Sequence, residues 1–173
     1  QPELVVKQLA KLGVLTRISP SLKADGWLAE KFDKARRLKK PTQLPSLYFC
    51  LLIYSLSKKE IEQFLARLNI SAKLCRTMRN TLELKTRLPL LNKPSLRHSE
   101  IYYLLREYEP VAIQVNALAT ESSTIRRHLQ LFLRKLRYVR TSLDGEELKK
   151  LGISAGPRMG RVLRTLHKAK LDG

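Results

Sequence analysis

The stretch that decides the fold is the C-terminal segment from Asp144 to the last residue, DGEELKKLGISAGPRMGRVLRTLHKAKLDG. A helix is predicted to run from Asp144 to Gly152, because acidic side chains cap and stabilise helix N-termini. After a tight turn, a second helix is predicted to open at Gly156-Pro157, since proline suits the first helical position and glycine permits unusual backbone angles. The segment is therefore a helix hairpin closed by glycines.

The second helix of this hairpin carries a row of cations. Arg161, Arg164 and Lys168 follow one another at i, i+3 and i+7 and share one face. The amide groups at a helix N-terminus bind anions, so a cationic helix that opens in this way is suited to phosphate. The residues predicted to bind are Gly156, Arg158, Gly160, Arg161, Arg164 and Lys168. The alternative is a stable hairpin whose glycines serve only packing.

A second basic surface is predicted on the helix spanning residues 123–138. Its apolar residues recur on one side at helical spacing, and five basic residues from position 126 to 137 have no acidic neighbour within that stretch. A solvated helix face normally mixes the two signs at i, i+4. The face is therefore predicted to meet phosphate through Arg127, Arg134 and Arg137, and an ordinary solvated face is the alternative.

Composition limits the class of protein. The chain has 173 residues and a formal net charge of +19, with 34 Lys and Arg against 15 Asp and Glu. A globular chain this basic usually meets a polyanion, which is RNA, DNA or an acidic membrane surface. No apolar run approaches the roughly 18 residues of a membrane span. Cys50 and Cys75 lie in apolar helical patterns and are predicted to be free thiols, which fits a reducing, cytoplasmic compartment.

The fold class follows from helical periodicity along the whole chain. Ser57 and Glu60 form a capping-box pattern ahead of an amphipathic helix, and the apolar run 47–56 is predicted to be a buried core helix. The prediction is an all-α fold, a multi-helix bundle or superhelical array of about eight to ten helices, with no sheet. We expect a helical body over residues 1–120 and a basic helical tail over residues 121–173, where 13 Lys and Arg face five Asp and Glu.

The sequence shows little sign of a catalytic site. The acidic pairs 60/62, 107/109 and 144/146 stand two residues apart, which on a helix points them to different faces. His98, His128 and His167 lie on separate helices and are predicted to be surface or half-buried residues. Tyr102, Tyr103 and Tyr108 are able to stack on bases, although core packing is the favoured interpretation. No catalytic residue and no metal ligand is therefore predicted.

The hairpin also resembles a family signature. In bacterial class II tRNA nucleotidyltransferases, the CCA-adding and A-adding enzymes and their poly(A) polymerase relatives, a C-terminal segment of the form L-x-G-x-D/E-L-x-x-x-G-x-x-x-G-P-x-x-G-x-x-L leads into a closing L-D-G. The matching residues are Leu143, Gly145, Glu147, Leu148, Gly152, Gly156, Pro157, Gly160, Leu163, Leu171, Asp172 and Gly173. The stretch 9–22, LAKLGVLTRISPSL, is weakly similar to that family's body domain.

This resemblance implies that catalysis and tRNA binding are performed by different parts of the protein. Such enzymes consist of a head, which holds the metal ions and the transfer chemistry, a nucleotide-selecting neck, and a helical body and tail that hold the tRNA acceptor arm and elbow. The chain would be the body and tail, without cofactor and inactive alone, and magnesium is expected in the missing N-terminal catalytic head. The parent protein would add CCA, A or poly(A). The rival interpretations are a helix-hairpin-helix DNA-binding module and a basic protein–protein adaptor.

Overall fold

The computed structural model describes residues 1–38, 44–141 and 143–173, and these residues form helices without any strand. The all-α prediction is thus confirmed. Eleven α-helices occur in the described ranges: α1 Pro2–Lys11, α2 Val14–Ile18, α3 Gly26–Arg36, α4 Leu44–Leu52, α5 Lys58–Arg67, α6 Ala72–Arg87, α7 His98–Leu105, α8 Pro110–Ala119, α9 Ser123–Arg134, α10 Gly145–Lys150 and α11 Pro157–Asp172. The helix beyond the expected eight to ten is the short α2, which follows Gly13 in the left-handed conformation (φ 71°). None of these helices has both the length and the apolar character needed to cross a bilayer.

Side-chain caps fix several of the helix starts that the sequence predicted. Ser57 accepts a hydrogen bond from the Glu60 amide, and the Glu60 carboxylate accepts one from the Ser57 amide at 2.7 Å. The same reciprocal box joins Asp144 and Glu147 at the start of α10. Each box satisfies amides that a helix N-terminus otherwise leaves without partners.

The first hydrophobic core lies among α1 to α6. Its most buried residues have an exposed fraction of 1% or less, and they include Phe32 of α3, Leu47 and Cys50 of α4 and Met78 of α6. The apolar run 47–56 is therefore part of a core, as predicted, although α4 begins at Leu44.

A second core is built from α7, α9 and the other side of α8, and Leu171 at the end of α11 joins it. Helix α8 lies between the two clusters, with Val111 and Val115 facing the first and Ile113 and Ala117 facing the second. The second cluster draws on residues of both the predicted body and the predicted tail. The division at residue 120 stays a prediction.

A buried polar network locks α8 to the first core. The Tyr54 hydroxyl donates to Asn116 Oδ1 at 2.8 Å, and Asn116 Nδ2 donates to the carbonyls of Thr81 and Ala112 at 3.0 and 2.9 Å. Asn116 is fully buried. Since a buried amide without partners is costly, this network specifies how α8 packs against α6 and against the turn that follows α4.

Helix α9 is shorter than predicted. It ends at Arg134, Lys135 leaves helical geometry (φ −129°, ψ −62°), and a 3₁₀ turn covers Leu136–Tyr138. This turn buries Leu136 in the second core. Arg137 therefore lies outside the α-helix on which the sequence analysis placed it.

Candidate nucleic-acid interface

The hairpin of α10 and α11 has the glycine-dependent geometry that its sequence predicts. The amide of Gly152 donates to the Lys149 carbonyl at 2.9 Å and that of Ile153 to the Leu148 carbonyl at 3.0 Å, which is a Schellman ending of α10. Gly152 has a φ of 84° and Gly156 a φ of 147°, two backbone conformations that residues other than glycine rarely adopt. Both glycines are therefore required by the backbone.

The N-terminus of α11 has no side-chain cap. Gly156 occupies the cap position, Pro157 follows it, and the first turn contains no acidic residue. The sequence prediction of a cationic helix start is confirmed in its backbone geometry, with Arg158 exposed in the first turn. Amides at such a start are available to an anion because neither a side chain nor a carboxylate occupies them.

The closing Leu171-Asp172 pair fixes the other end of α11. The Asp172 carboxylate accepts hydrogen bonds from the Ser99 amide at 2.8 Å and the Ser99 hydroxyl at 2.7 Å, in the first turn of α7. The Leu171 carbonyl lies 3.0 Å from His98 Nδ1. This contact, which we call the C-terminal clasp, aligns α11 beside α7. The sequence analysis recognised Asp172 only as part of a motif and missed Ser99, since nothing in the sequence links positions 73 residues apart.

The clasp also sets the charge state of Asp172. Burial acts to raise its pKa, but the two hydrogen bonds from Ser99 and the positive charges of Arg97 and Lys168 outweigh burial and hold the pKa below its ordinary value. Asp172 is therefore ionised at neutral pH and complements the positive end of α7.

The predicted cations of α11 lie together on its exposed face. Arg158, Arg161, Arg164 and Lys168 are all solvent-exposed. Among the described residues, none of them forms a salt bridge with an acidic side chain. This face of α11 is consequently positively charged, with Lys168 close enough to Glu100 and Asp172 to lower their pKa values, and such a face is suited to phosphate.

The predicted cations of the other basic stretch are arranged less regularly. Arg127 and Arg134 are exposed and share one face of α9, seven residues apart. Arg137 is half-buried in the 3₁₀ turn, and its guanidinium lies 4.7 Å from the centre of the Tyr138 ring. The prediction that all three lie on one α-helix is wrong, because α9 ends before Arg137. Whether the three bind phosphate stays a prediction.

A groove separates α7 from α11 and adds residues that the sequence analysis did not assign. It has a volume of about 410 Å³, and its walls include Tyr103 and Arg106 of α7 together with Gly160, Leu163 and Arg164 of α11. A neighbouring cavity of about 360 Å³ shares Tyr103 and Arg164 and reaches Lys168. The only signal in the sequence was the spacing of Tyr103 and Arg106, which places them on one helix face.

In the described part of the chain, the arginines of α3 and α6 differ from those of α11 in being paired with acidic side chains. Acidic side chains contact Lys34 and Arg36 on α3 and Arg37 directly after it. On α6, Arg76 pairs with Glu109 at 2.8 Å and Arg79 with Glu62 at 2.6 Å. Lys39 and Lys40, which follow in sequence, lie outside the described residues. The arginines of α3 and α6 therefore lack the unpaired charge that the arginines of α11 have within the described structure.

The acidic pairs and the histidines have structural partners. Glu60 accepts hydrogen bonds from Ser21 and Ser57, which lower its pKa to about 2. His128 is buried, with Nδ1 at 2.9 Å from the Leu91 carbonyl, so the predicted surface or half-buried position was wrong for this residue. In the part of the chain that the structure describes, no three His, Cys, Asp or Glu side chains are grouped so as to hold a metal ion.

No protein-family model matches the chain. In sequence, it is similar to the A-adding tRNA nucleotidyltransferase of Geobacter sulfurreducens, with 26% identity over 189 aligned residues. The alignment covers 100% of this chain and 21% of that relative, so the chain spans about a fifth of its length. The resemblance to tRNA nucleotidyltransferases drawn from the hairpin motif is thereby confirmed.

The fold is shared with solved CCA-adding enzymes. The Thermotoga maritima CCA-adding enzyme in complex with tRNA matches with a TM-score of 0.69 and 16% identity, over 100% of this chain and 44% of that one. A CCA-adding enzyme in complex with CTP matches with a TM-score of 0.71 and 18% identity, over 100% and 43% of the two chains. At these identities the likeness establishes the fold.

Proposed function

We propose that this chain is the tRNA-binding helical region of a tRNA nucleotidyltransferase or of a poly(A) polymerase relative. It holds the acceptor arm and elbow of a tRNA, in the cytoplasm, while a separate catalytic part of the protein adds A, CCA or poly(A) to the RNA 3′ end. Within the chain, α11 and α9 contact the RNA backbone. The role is one of holding and orienting the substrate.

The observation that carries the proposal is the contrast in charge pairing. The arginines of α3 and α6 are neutralised by acidic neighbours, whereas Arg161, Arg164 and Lys168 form no salt bridge within the described ranges. Unpaired cations on one helix repel each other, which costs stability. Such an arrangement is typical of a surface whose counter-charges come from a ligand, and the phosphates of RNA supply them at regular spacing.

The resemblance makes tRNA the expected RNA. The sequence is similar along its whole length to an A-adding tRNA nucleotidyltransferase, and one structure of the same fold was obtained with tRNA bound. Structured RNA is recognised through its shape and its phosphates more than through base edges in its deep groove. A row of cations beside an open helix N-terminus fits that mode of recognition.

The proposal is tested by the salt dependence of tRNA binding. If the seven predicted cations, Arg127, Arg134, Arg137, Arg158, Arg161, Arg164 and Lys168, each meet a phosphate, the logarithm of the affinity should fall against the logarithm of the salt concentration with a slope of about −5 to −6. Fluorescence anisotropy with a labelled tRNA transcript measures this slope. An affinity that hardly changes between low and moderate salt would contradict the proposal.

A matched pair of variants locates the surface. The double substitution Arg161→Gln and Arg164→Gln should make the slope shallower by about 1.5 to 2, because two phosphate contacts are lost. The control, Arg76→Gln with Arg79→Gln, removes the same charge from α6, where both arginines are paired. Equal effects of the two double variants would mean that only net charge matters. Competition with a DNA duplex separates the helix-hairpin-helix alternative, which would prefer the DNA.

A further inference from the structure

The groove between α7 and α11 has features that phosphate binding does not require. Its lining includes the apolar side chains of Leu143 and Leu163 and the ring of Tyr103, together with the acidic Asp144 at the start of α10. A phosphate needs only cations and amides. An aromatic ring and apolar side chains are instead suited to a flat, partly apolar group.

Tyr103 is the central residue of this groove. It lines both the 410 Å³ groove and the adjacent 360 Å³ cavity, as does Arg164 on the facing helix. The other tyrosines of the region have different positions: Tyr108 is buried, and Tyr102 packs against the second core. Tyr103 alone of the three is thus both half-buried and open to the groove within the described structure.

The ring of Tyr103 is held in place. It is perpendicular to the Tyr102 ring at a centroid distance of 5.4 Å and to the His167 ring at 6.3 Å. The Arg106 guanidinium lies over one face of the Tyr103 ring, 5.2 Å from its centre, so a base would stack on the other face. An aromatic surface fixed by its neighbours loses little conformational entropy when a second ring stacks on it. Arg164 stands beside it as a positive charge that has no salt bridge among the described residues, whereas Arg106 pairs with Glu107 at 2.8 Å.

We infer that this groove receives an unstacked base of the bound RNA, with Tyr103 stacking on the base and Arg164 holding an adjacent phosphate. The inference rests on the proposed tRNA-binding function and adds a recognition element to it. A base can enter only where RNA is single-stranded or looped, because the bases of a continuous duplex stay stacked. The groove therefore selects an RNA with an exposed loop nucleotide over a plain duplex.

The decisive variant is Tyr103→Leu, which removes the aromatic surface and keeps the apolar volume. Stacking of one base on an aromatic side chain corresponds to about a 5- to 100-fold change in affinity. We expect such a loss for a tRNA transcript, with an unchanged salt slope, since no phosphate contact is removed. The affinity for a blunt RNA duplex should stay the same. Tyr103→Phe keeps the ring and should bind tRNA like the wild type.

The control is Phe49→Leu, which removes an exposed aromatic ring from α4, outside both cavities. It should leave both affinities unchanged. Wild-type affinity for tRNA in the Tyr103→Leu variant would overturn the inference, and so would an equal loss for tRNA and duplex. If the wild type binds tRNA with a steep salt dependence while Tyr103→Leu has no effect, only the base-binding inference fails. If the wild type shows no salt-dependent tRNA binding, the proposed function fails as well.

Cross-linking of the unaltered chain does not depend on how the variant folds. Short-wavelength ultraviolet irradiation joins stacked bases to aromatic side chains, and mass spectrometry of the digested complex locates the nucleotide adduct. We expect an adduct on the α7 peptide that contains Tyr103. Adducts confined to peptides of α9 and α11 would overturn the inference.

Discussion

Replacing Gly160 with alanine should stabilise the chain and weaken its binding to tRNA. Gly160 lies inside α11, and a Cβ built on it meets no protein atom within 4 Å. Its φ is not positive, unlike those of Gly152 and Gly156. Nothing within the folded chain therefore requires glycine at this position.

The size of the stabilisation follows from helix propensity. Glycine in a helix interior is about 1 kcal/mol less favourable than alanine, because the unfolded chain loses more freedom when glycine is ordered. For a chain of this length, such a gain corresponds to a rise in melting temperature of about 2–4 °C. Thermal unfolding followed by circular dichroism measures it.

The expected change in binding has the opposite sign. Gly160 lines the rim of the groove beside Arg164, so a methyl group there would hold an approaching RNA backbone away. Loss of one charge-assisted hydrogen bond, about 1.5 kcal/mol, corresponds to roughly a tenfold weaker affinity. Anisotropy with labelled tRNA, at one fixed salt concentration, measures this change.

The control is Gly26→Ala at the start of α3. A Cβ on Gly26 also meets no atom within 4 Å, and the position is remote from the basic tail in sequence and lines neither groove. This variant should fold at least as well as the wild type and bind tRNA equally. Undiminished tRNA affinity in Gly160→Ala would refute the close approach of RNA, and a lowered melting temperature would refute our account of the glycine.

Three further predictions concern stability and reactivity. Asn116→Ala should lower the free energy of unfolding by about 2–4 kcal/mol in urea titrations, because it leaves the buried Tyr54 hydroxyl without its acceptor. Asp172→Asn should destabilise the chain at pH 7 by less than about 1 kcal/mol, since solvent screens an exposed carboxylate. The lowered pKa of Asp172 means that its contribution is present above its ordinary pKa and is lost as the pH falls through the folded value, so the difference between variant and wild type should shrink as the pH falls below that ordinary pKa. Burial raises the pKa of Cys50 to about 11, so a thiol reagent at pH 8 should label the half-buried Cys75 first; mass spectrometry would show the reverse order if this burial were wrong.

Local features of the fold were predictable from sequence because they depend on neighbouring residues. The capping box of Ser57 and Glu60 and the glycine-proline start of α11 are examples, since each involves atoms within one turn of helix. Where a helix end depends on the core, the prediction was wrong. Helix α9 ends at Arg134 without a glycine or a proline to mark the position. The 3₁₀ turn after it buries Leu136 in the second core, which the local sequence does not reveal.

The candidate site also combines features that local sequence predicts with features that depend on contacts between distant segments. The cations of α11 were evident from their spacing along one helix. The position of Tyr103 in the groove and the C-terminal clasp could not be predicted from the sequence. Both depend on α7 and α11 lying side by side, which is a contact between segments more than fifty residues apart. Charge pairing was also invisible in sequence, since the partner of Arg76 is Glu109 and that of Arg36 is Glu3.

The way α11 is anchored explains how a helix with so many unpaired cations stays folded. Only Met159 and Leu171 of its residues are buried within the described structure. Met159 lies against α10, where a Cβ built on Gly145 is 3.6 Å from its sulfur, and Leu171 and Asp172 are held by α7. The helix is thus fixed at both ends, while the cations between them repel each other. Phosphates bound along that face would remove the repulsion, so the proposed RNA binding and the folding of α11 would stabilise each other.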